Sequence, residues 1–448
     1  MERIDLRDVI RQKLADTIAS KPVEVTSRDI RLTKLPRRAH AVIGMRRAGK
    51  TSFLHQCLRD RLNAGTPREA LVYFSFEDER LGGLTAAGLN WILEEYFARY
   101  PQFRDRQKVT FFFDEIQVVP GWETFVRRIL DSEALEVFVS GSSAKMLSRE
   151  VATSLRGRAT ETTVFPFSFR EYLRHRGIAP PADPAFAPKA QRSQLDQLCR
   201  AFVAEGGFPE AQDLPESVRI ALLQGYVDTV IFRDVVERHN VTSIVALRRL
   251  TRQLLGASGG LFSVHRFLND LKSQGVAVSK DTLHALLGHL EDAFLVRMVP
   301  MATSSERQRQ SNPRKIYPVD AGLGHAFDRS GKANVGHALE NLVEVELERR
   351  GCELGYVRTE DGFEVDFLAT PRTGAPLLVQ VCAELNDPAT VERELRSLEA
   401  ARAAHPRATR LLVTLGTADA MELQAQVPKG TTVKPAWQWF LEGEAADS

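Results

Sequence analysis

The sequence predicts an α/β protein built on a parallel sheet. Apolar runs rich in β-branched and aromatic residues recur at 70–78 (ALVYFSFED), 108–116 (KVTFFFDEI) and 135–143 (LEVFVSGSS), without the alternation of a half-exposed strand. Such runs suit strands covered on both faces, the situation inside a parallel sheet. A shorter apolar run ending at Ile43 delivers G-x-x-x-x-G-K-T from Gly44 to Thr51, ahead of a segment of helical period. The run at 108–116 stops at two adjacent acids, Asp114 and Glu115.

Length and composition set the frame. At 448 residues the chain exceeds one ordinary core, so roughly three domains are expected. With 43% hydrophobic and 26% charged residues it has the balance of a folded globular protein, which argues against disorder or fibre. The start, MERIDLRDVIRQ, has no apolar stretch of signal-peptide length, and no run is long enough to span a membrane, so a cytoplasmic protein is expected. Cys57, Cys199, Cys352 and Cys382 lie far apart and form no C-x-x-C pair, which speaks against zinc or a disulfide framework. The net charge of +2 hides a basic crowd near the start that includes Arg28, Arg31, Arg37, Arg38, Arg46 and Arg47. That crowd permits a phosphate-rich partner without requiring one.

In chain order, Ile4, Leu6, Val9, Ile10, Leu14 and Ile18 predict an amphipathic lead-in helix, expected to pack beside the nucleotide. The loop follows. Its glycines let backbone N–H groups turn toward phosphates, Lys50 reaches the β- and γ-oxygens, and the Thr51 hydroxyl can ligate Mg²⁺. Gly44, Met45, Arg46, Arg47, Ala48, Gly49, Lys50, Thr51 and Ser52 are therefore the candidate ATP contacts. Asp114, at a strand end, is expected to hold Mg²⁺, and Glu115 to polarise an attacking water. The strand at 135–143 ends in Gly-Ser-Ser, where Ser142 or Ser143 is the candidate γ-phosphate sensor; Ser143 also suits a helix cap. Arg156 and Arg158 follow, and Arg158 is the first candidate for an arginine finger acting on a neighbouring subunit, with a surface pair as the alternative.

Beyond 174 a Pro- and Ala-rich excursion precedes helical patterns, including Tyr226 to Val236, where Arg233 and Asp234 suit either a nucleotide site or a surface pair. From 245 to 300 three helical runs and then LVRMV give the order of a winged helix-turn-helix, with Arg266, Lys272, Lys280 and His284 near the face that meets DNA in such modules. A subunit contact is the alternative use. The polar stretch SSERQRQSNPRK at 304–315 reads as a loop suited to phosphate contacts.

GMRRAGKT, FFFDE, VSGSSAKML, LRGR and FPFSFREYL, followed by GGFPE, YVDTVIFRDVVERHNV and KIYPVDAGL, stand in an order that resembles a bacterial and archaeal family of AAA+-like P-loop ATPases with an uncharacterised C-terminal domain. The resemblance implies an ATPase core with its lead-in helix over 1–170, a helical lid over 171–240, a winged-helix-like module over 241–302, a linker over 303–335 and a nuclease-like α/β domain over 336–448. Together with the loop and the acidic strand end, which call for ATP and Mg²⁺, this gives as the first reading a motor or remodeller that acts on DNA as a homo-oligomer, a hexamer being one form. A protein partner served by a nucleotide switch is the second reading, and an ATP-regulated nuclease the third and weaker one. In the C-terminal domain Glu340 and Asp366 match the PD-(D/E)XK nuclease core, where the E-x-K pair is replaced by Gln380 and Cys382. A neutral amide is a poor magnesium ligand and a thiol supplies no fixed positive charge, which argues against cleavage.

Overall fold

The computed structural model describes residues 5–33, 35–104, 107–142, 157–328, 334–383 and 388–442. The chain divides into two compact units, Met1–Phe165 and Pro166–Ser448. All four cysteines are free thiols. None of the described helices is long and apolar enough to cross a membrane.

The first unit runs α1 (Leu6–Ala19), β1 (Ala39–Ile43), α2 (Lys50–Asn63), β2 (Leu71–Ser75), α3 (Asn90–Arg99), β3 (Val109–Asp114), α4 (Trp122–Ser132), β4 (Leu135–Gly141) and β5 (Ala159–Thr163). Its sheet is wholly parallel in the order β2-β3-β4-β1-β5. The acidic strand β3 is thus separated from the loop strand β1 by β4. Alternate side chains serve opposite faces. Phe112 stacks on Phe138 at 4.9 Å in the layer with Phe53 and Leu54 of α2, while Phe111 and Phe113 meet Tyr96 of α3 and Phe125 of α4 at 5.3 and 6.0 Å. A sheet covered this way has no solvent face, which is why its strands read as unbroken apolar runs. Strand β5 escapes that signal because its sequence, ATETT, is a half-buried edge. Helix α1 packs against β2 and α3, with β3 and β4 between it and β1. It therefore lies away from the loop it was expected to flank.

The second unit opens with α5 (Phe169–His175), α6 (Lys189–Glu205) and α7 (Glu216–Val230), the last continued by a π-helical turn, Ile231–Val236. Then come α8 (Ile244–Gly256), β6 (Leu261–Phe262), α9 (Val264–Ser273), α10 (Lys280–Asp292), β7 (Val296–Val299), α11 (Glu306–Ser311), β8 (Arg314–Pro318) and α12 (Ala321–Phe327). Strands β6, β8 and β7 form an antiparallel three-stranded sheet in that order. The stretch 303–335, read as a linker, carries β8 and α12. Its polar lead-in hid a five-residue strand, IYP of which is fully buried. The remainder is α13 (Val335–Arg349), β9 (Glu353–Arg358), β10 (Glu364–Thr370), β11 (Leu377–Cys382), α14 (Pro388–Ala404), β12 (Thr409–Thr414), α15 (Thr417–Gln424), β13 (Thr431–Pro435) and α16 (Ala436–Leu441). Its mixed sheet runs β13-β12-β11-β10-β9, parallel through β11 to β13 and antiparallel on the other side.

Two of the phrases that carry the family resemblance meet at one joint. Asp320, which caps α12, accepts hydrogen bonds from the N–H of Gly322 at 2.9 Å and of Gly207 at 2.6 Å. GGFPE and KIYPVDAGL are held together there. A Cβ on Gly207 would lie 2.4 Å from the Phe167 carbonyl oxygen, so the strand-like approach needs glycine. A core of Phe169, Tyr172, Phe202, Leu339, Val343, Trp437 and Phe440 joins α5 and α6 to α13 and α16. The regions read as lid, winged module and C-terminal domain share one compact unit.

Candidate nucleotide-binding and hydrolysis site

Parallel strands place their C-terminal ends on one edge, and the site grows from three of them. Strand β1 ends at Ile43 and the chain turns through Gly44, whose φ of 146° lies outside the range open to other residues. A Cβ there would stand 2.3 Å from the Val164 carbonyl oxygen, just past β5. Arg47 at φ 67° and Gly49 at φ 102° complete the loop, and Gly49 caps α2. The first N–H groups of α2 consequently face the space above the sheet edge, a position suited to phosphate. Met45 and Ala48 are buried and hold the loop down, while Ser52, in the first turn of α2, is half-buried.

Lys50 is 5% exposed, and its Nζ donates to the carbonyl oxygens of Gly44 at 3.2 Å and Met45 at 3.1 Å. Glu115 Oε1 lies 3.9 Å away. The ammonium is thus curled over the loop it would share with phosphate oxygens. Thr51 Oγ1 donates to Asp114 Oδ2 at 2.8 Å, so the two expected magnesium donors meet in space. Hard oxygen donors of this kind, a hydroxyl beside a carboxylate, fit Mg²⁺. Arg46 pairs with Glu77 at 3.5 Å.

Three partners of this site escaped the sequence reading. Tyr73 on β2 donates to Asp114 Oδ2 at 2.7 Å. Ser140 on β4 donates to Asp114 Oδ1 and accepts from the Glu115 N–H at 2.9 Å. The register pairs Phe113 with Val139, so Ser140 follows opposite Asp114, and aligning the two strand ends would have found it. Arg28, one of the basic crowd, is 4% exposed; its guanidinium donates to Ala48 O inside the loop at 2.9 Å and to Phe165 O. Gln56 of α2 holds the Arg28 backbone by bonds of 2.6 and 3.0 Å. Segment 20–33, rather than α1, is what borders the loop.

Glu115 adopts a left-handed conformation at φ 55°, uncommon for a side chain of this kind and often a mark of function. Burial pushes its carboxyl above the usual carboxylate range, with the Lys50 charge opposing and Asp114 adding to the rise. Gln117 donates to its Oε2. Ser142 is fully buried just past β4. Ser143 and Arg156 lie outside the described residues. Arg158 precedes β5 at the N-terminal edge of the sheet, paired with Asp131, and so stands at the opposite edge from its own loop.

A second cluster lies in the other unit. Glu340 of α13 and Asp366 of β10 come together as expected, but around Lys315 of β8. The Lys315 Nζ lies 3.1 Å from Glu340, 2.9 Å from Glu364 and 3.0 Å from Asp366. Gln380 Nε2 donates to Asp366 Oδ2 at 3.0 Å. Cys382 packs with Val365, Leu378 and Leu398, and burial pushes its thiol up to about 11. The positive charge absent from β11 thus enters from a strand that sequence reading took for linker.

Two family models match the chain: an AAA domain over residues 36–173 and a domain of unknown function (DUF8612) over residues 196–334. The uncharacterized protein MJ1544 of Methanocaldococcus jannaschii is 33% identical over 89% of this chain and 86% of its own length. An uncharacterized protein of Haemophilus influenzae is 31% identical over 77% of this chain and 82% of its own. Among solved structures, the Walker-type ATPase PABY2304 of Pyrococcus abyssi is 15% identical, covering 72% of this chain and 95% of that one with a TM-score of 0.41. The chain belongs to the family of these archaeal and bacterial relatives and carries an AAA-type P-loop ATPase domain.

Proposed function

We propose that the protein is a Mg²⁺-dependent ATP hydrolase of AAA+ type whose nucleotide cycle acts on DNA as a homo-oligomer. The observation that carries the hydrolase reading is the convergence of Lys50, Thr51, Asp114 and Glu115 at one sheet edge. When bound, Mg²⁺ supplies charge to the β- and γ-phosphate oxygens and orients them. Lys50 exchanges its carbonyl partners for phosphate oxygens, Asp114 and Thr51 hold the metal side, and Glu115 orients the attacking water. Ser140 positions both acids, and Ser142 and Ser143 are the candidates for sensing the γ-phosphate. Arg158 is the candidate arginine finger for a neighbour's site; its position at the sheet edge away from its own loop supports a role in trans, for which it would have to leave Asp131, and with it an oligomer.

In support of DNA, α8-β6-α9-α10-β7-β8, with the short α11 inserted between the last two strands, follows the element order of a winged helix, with Arg266, Lys272, Lys280 and His284 exposed. The second reading, a nucleotide switch that presents the C-terminal unit to a protein partner, draws on Asp270 and Asp281, which are exposed on the same two helices and dilute their positive charge. A nuclease-like fold for the α13–α16 region is part of the first reading. One assay separates the two: ATP turnover and particle mass with single-stranded, duplex and branched DNA. Stimulation by DNA with steep salt dependence is expected. A monomer whose turnover ignores all three would remove the DNA reading and leave the switch.

The pH profile is a further check. Glu115 must be ionised to orient water, and burial raises its pKa. The acid limb of kcat should therefore lie above the ordinary glutamate value of about 4.3, with activity rising as pH climbs through it. A limb at or below that value would take the water-orienting role from Glu115.

A further inference from the structure

The resemblance to PD-(D/E)XK nucleases implies Mg²⁺ between Glu340 and Asp366, yet these side chains are already committed. An ammonium has three N–H donors, and Lys315 meets three carboxylates with them, at 2.9 to 3.1 Å. Its side chain is 4% exposed. Asp366 Oδ2 accepts from Gln380 Nε2 and from the Val381 N–H, each at 3.0 Å, and Glu340 Oε1 also accepts from Tyr317 at 2.6 Å. Gln380 presents its N–H face to the acids, while its Oε1 accepts from the Asp366 N–H at 3.3 Å. A donor aimed at the carboxylates repels a cation that would approach them. The cluster opens on a cavity of about 1020 Å³, so access is not what excludes a metal.

We infer that Lys315 is the resident cation of this cluster, standing where a divalent metal would otherwise sit and making the site metal-independent. The ammonium ties β8 to α13 and β10 by charge, a joint within the second unit. Burial, then the Asp366 charge, pushes the Glu340 carboxyl up to about 7, with Lys315 and Tyr317 pulling the other way. Removing the ammonium should accordingly expose a latent oxygen-donor site for a divalent ion.

The test is Mn²⁺ binding to the nucleotide-free full chain near neutral pH, followed by electron paramagnetic resonance. Wild type and Asp366→Asn are expected to bind the same amount. Lys315→Ala is expected to gain about one equivalent per chain, lost again when Asp366→Asn is added, whereas Lys315→Arg gains none. Mn²⁺ bound by wild type and lost in Asp366→Asn would overturn the inference, as would a folded Lys315→Ala that gains nothing. Should Lys315→Ala not fold, the comparison of wild type with Asp366→Asn decides alone. No nucleotide enters the experiment, so its outcome is independent of the ATPase reading.

Discussion

Lys50→Ala is expected to lose ATP binding, whereas Glu115→Gln should keep ATP bound and lose turnover by at least about 100-fold. The two side chains lie 3.9 Å apart at one sheet edge, yet their proposed tasks differ. In the proposed function Lys50 supplies positive charge to the phosphates, an interaction present in ground and transition states alike. Glu115 is proposed to act on water, and the amide of Glu115→Gln keeps the shape and the Gln117 contact while giving up basicity. Fluorescent-nucleotide titration and steady-state hydrolysis measured together separate the roles. Equal loss of ATP binding in both variants would show that Glu115 serves the fold of the loop rather than the chemistry.

Gly44→Ala should be nearly as damaging by a different route. The added Cβ would sit 2.3 Å from the Val164 carbonyl oxygen, and that oxygen is backbone that cannot swing away. The N–H of the same Val164 donates to Ile43 O at 2.7 Å, so any retreat disturbs the seam between β1 and the chain leaving β5. Together with a φ of 146°, this should destabilise the first unit by about 3 kcal/mol and open the phosphate cradle. Thermal or urea unfolding, read beside ATP affinity, checks both parts. Unchanged melting with unchanged affinity would mean that the loop relaxes freely, against the close approach described.

How much of this was legible in the sequence follows from how local each requirement is. Phosphate chemistry demands fixed residue types at fixed spacing, so Gly44 to Thr51 announced itself. Asp114 and Glu115 end a strand whose aromatic run marks it as buried on both faces. Ser140 was passed over for Ser142 and Ser143 because choosing among neighbouring serines takes the β3–β4 register, a fact about pairing rather than about either strand. Arg28 looked like surface charge because nothing in a linear reading shows a guanidinium reaching Ala48, 20 residues on. Lys315 was hidden most deeply. The polar stretch before it resembles a loop, and its carboxylates come from elements 25 to 51 residues away.

The carboxylate of Asp114 gathers Thr51 from α2, Tyr73 from β2 and Ser140 from β4, three elements besides its own strand. Assembly of the sheet thus also builds the expected magnesium side of the loop. Nucleotide would behave as a folding ligand, adding about 2.7 kcal/mol at a hundred times its Kd. A packing defect near β2, at the sheet edge remote from the loop, would surface in the laboratory as a weaker grip on ATP.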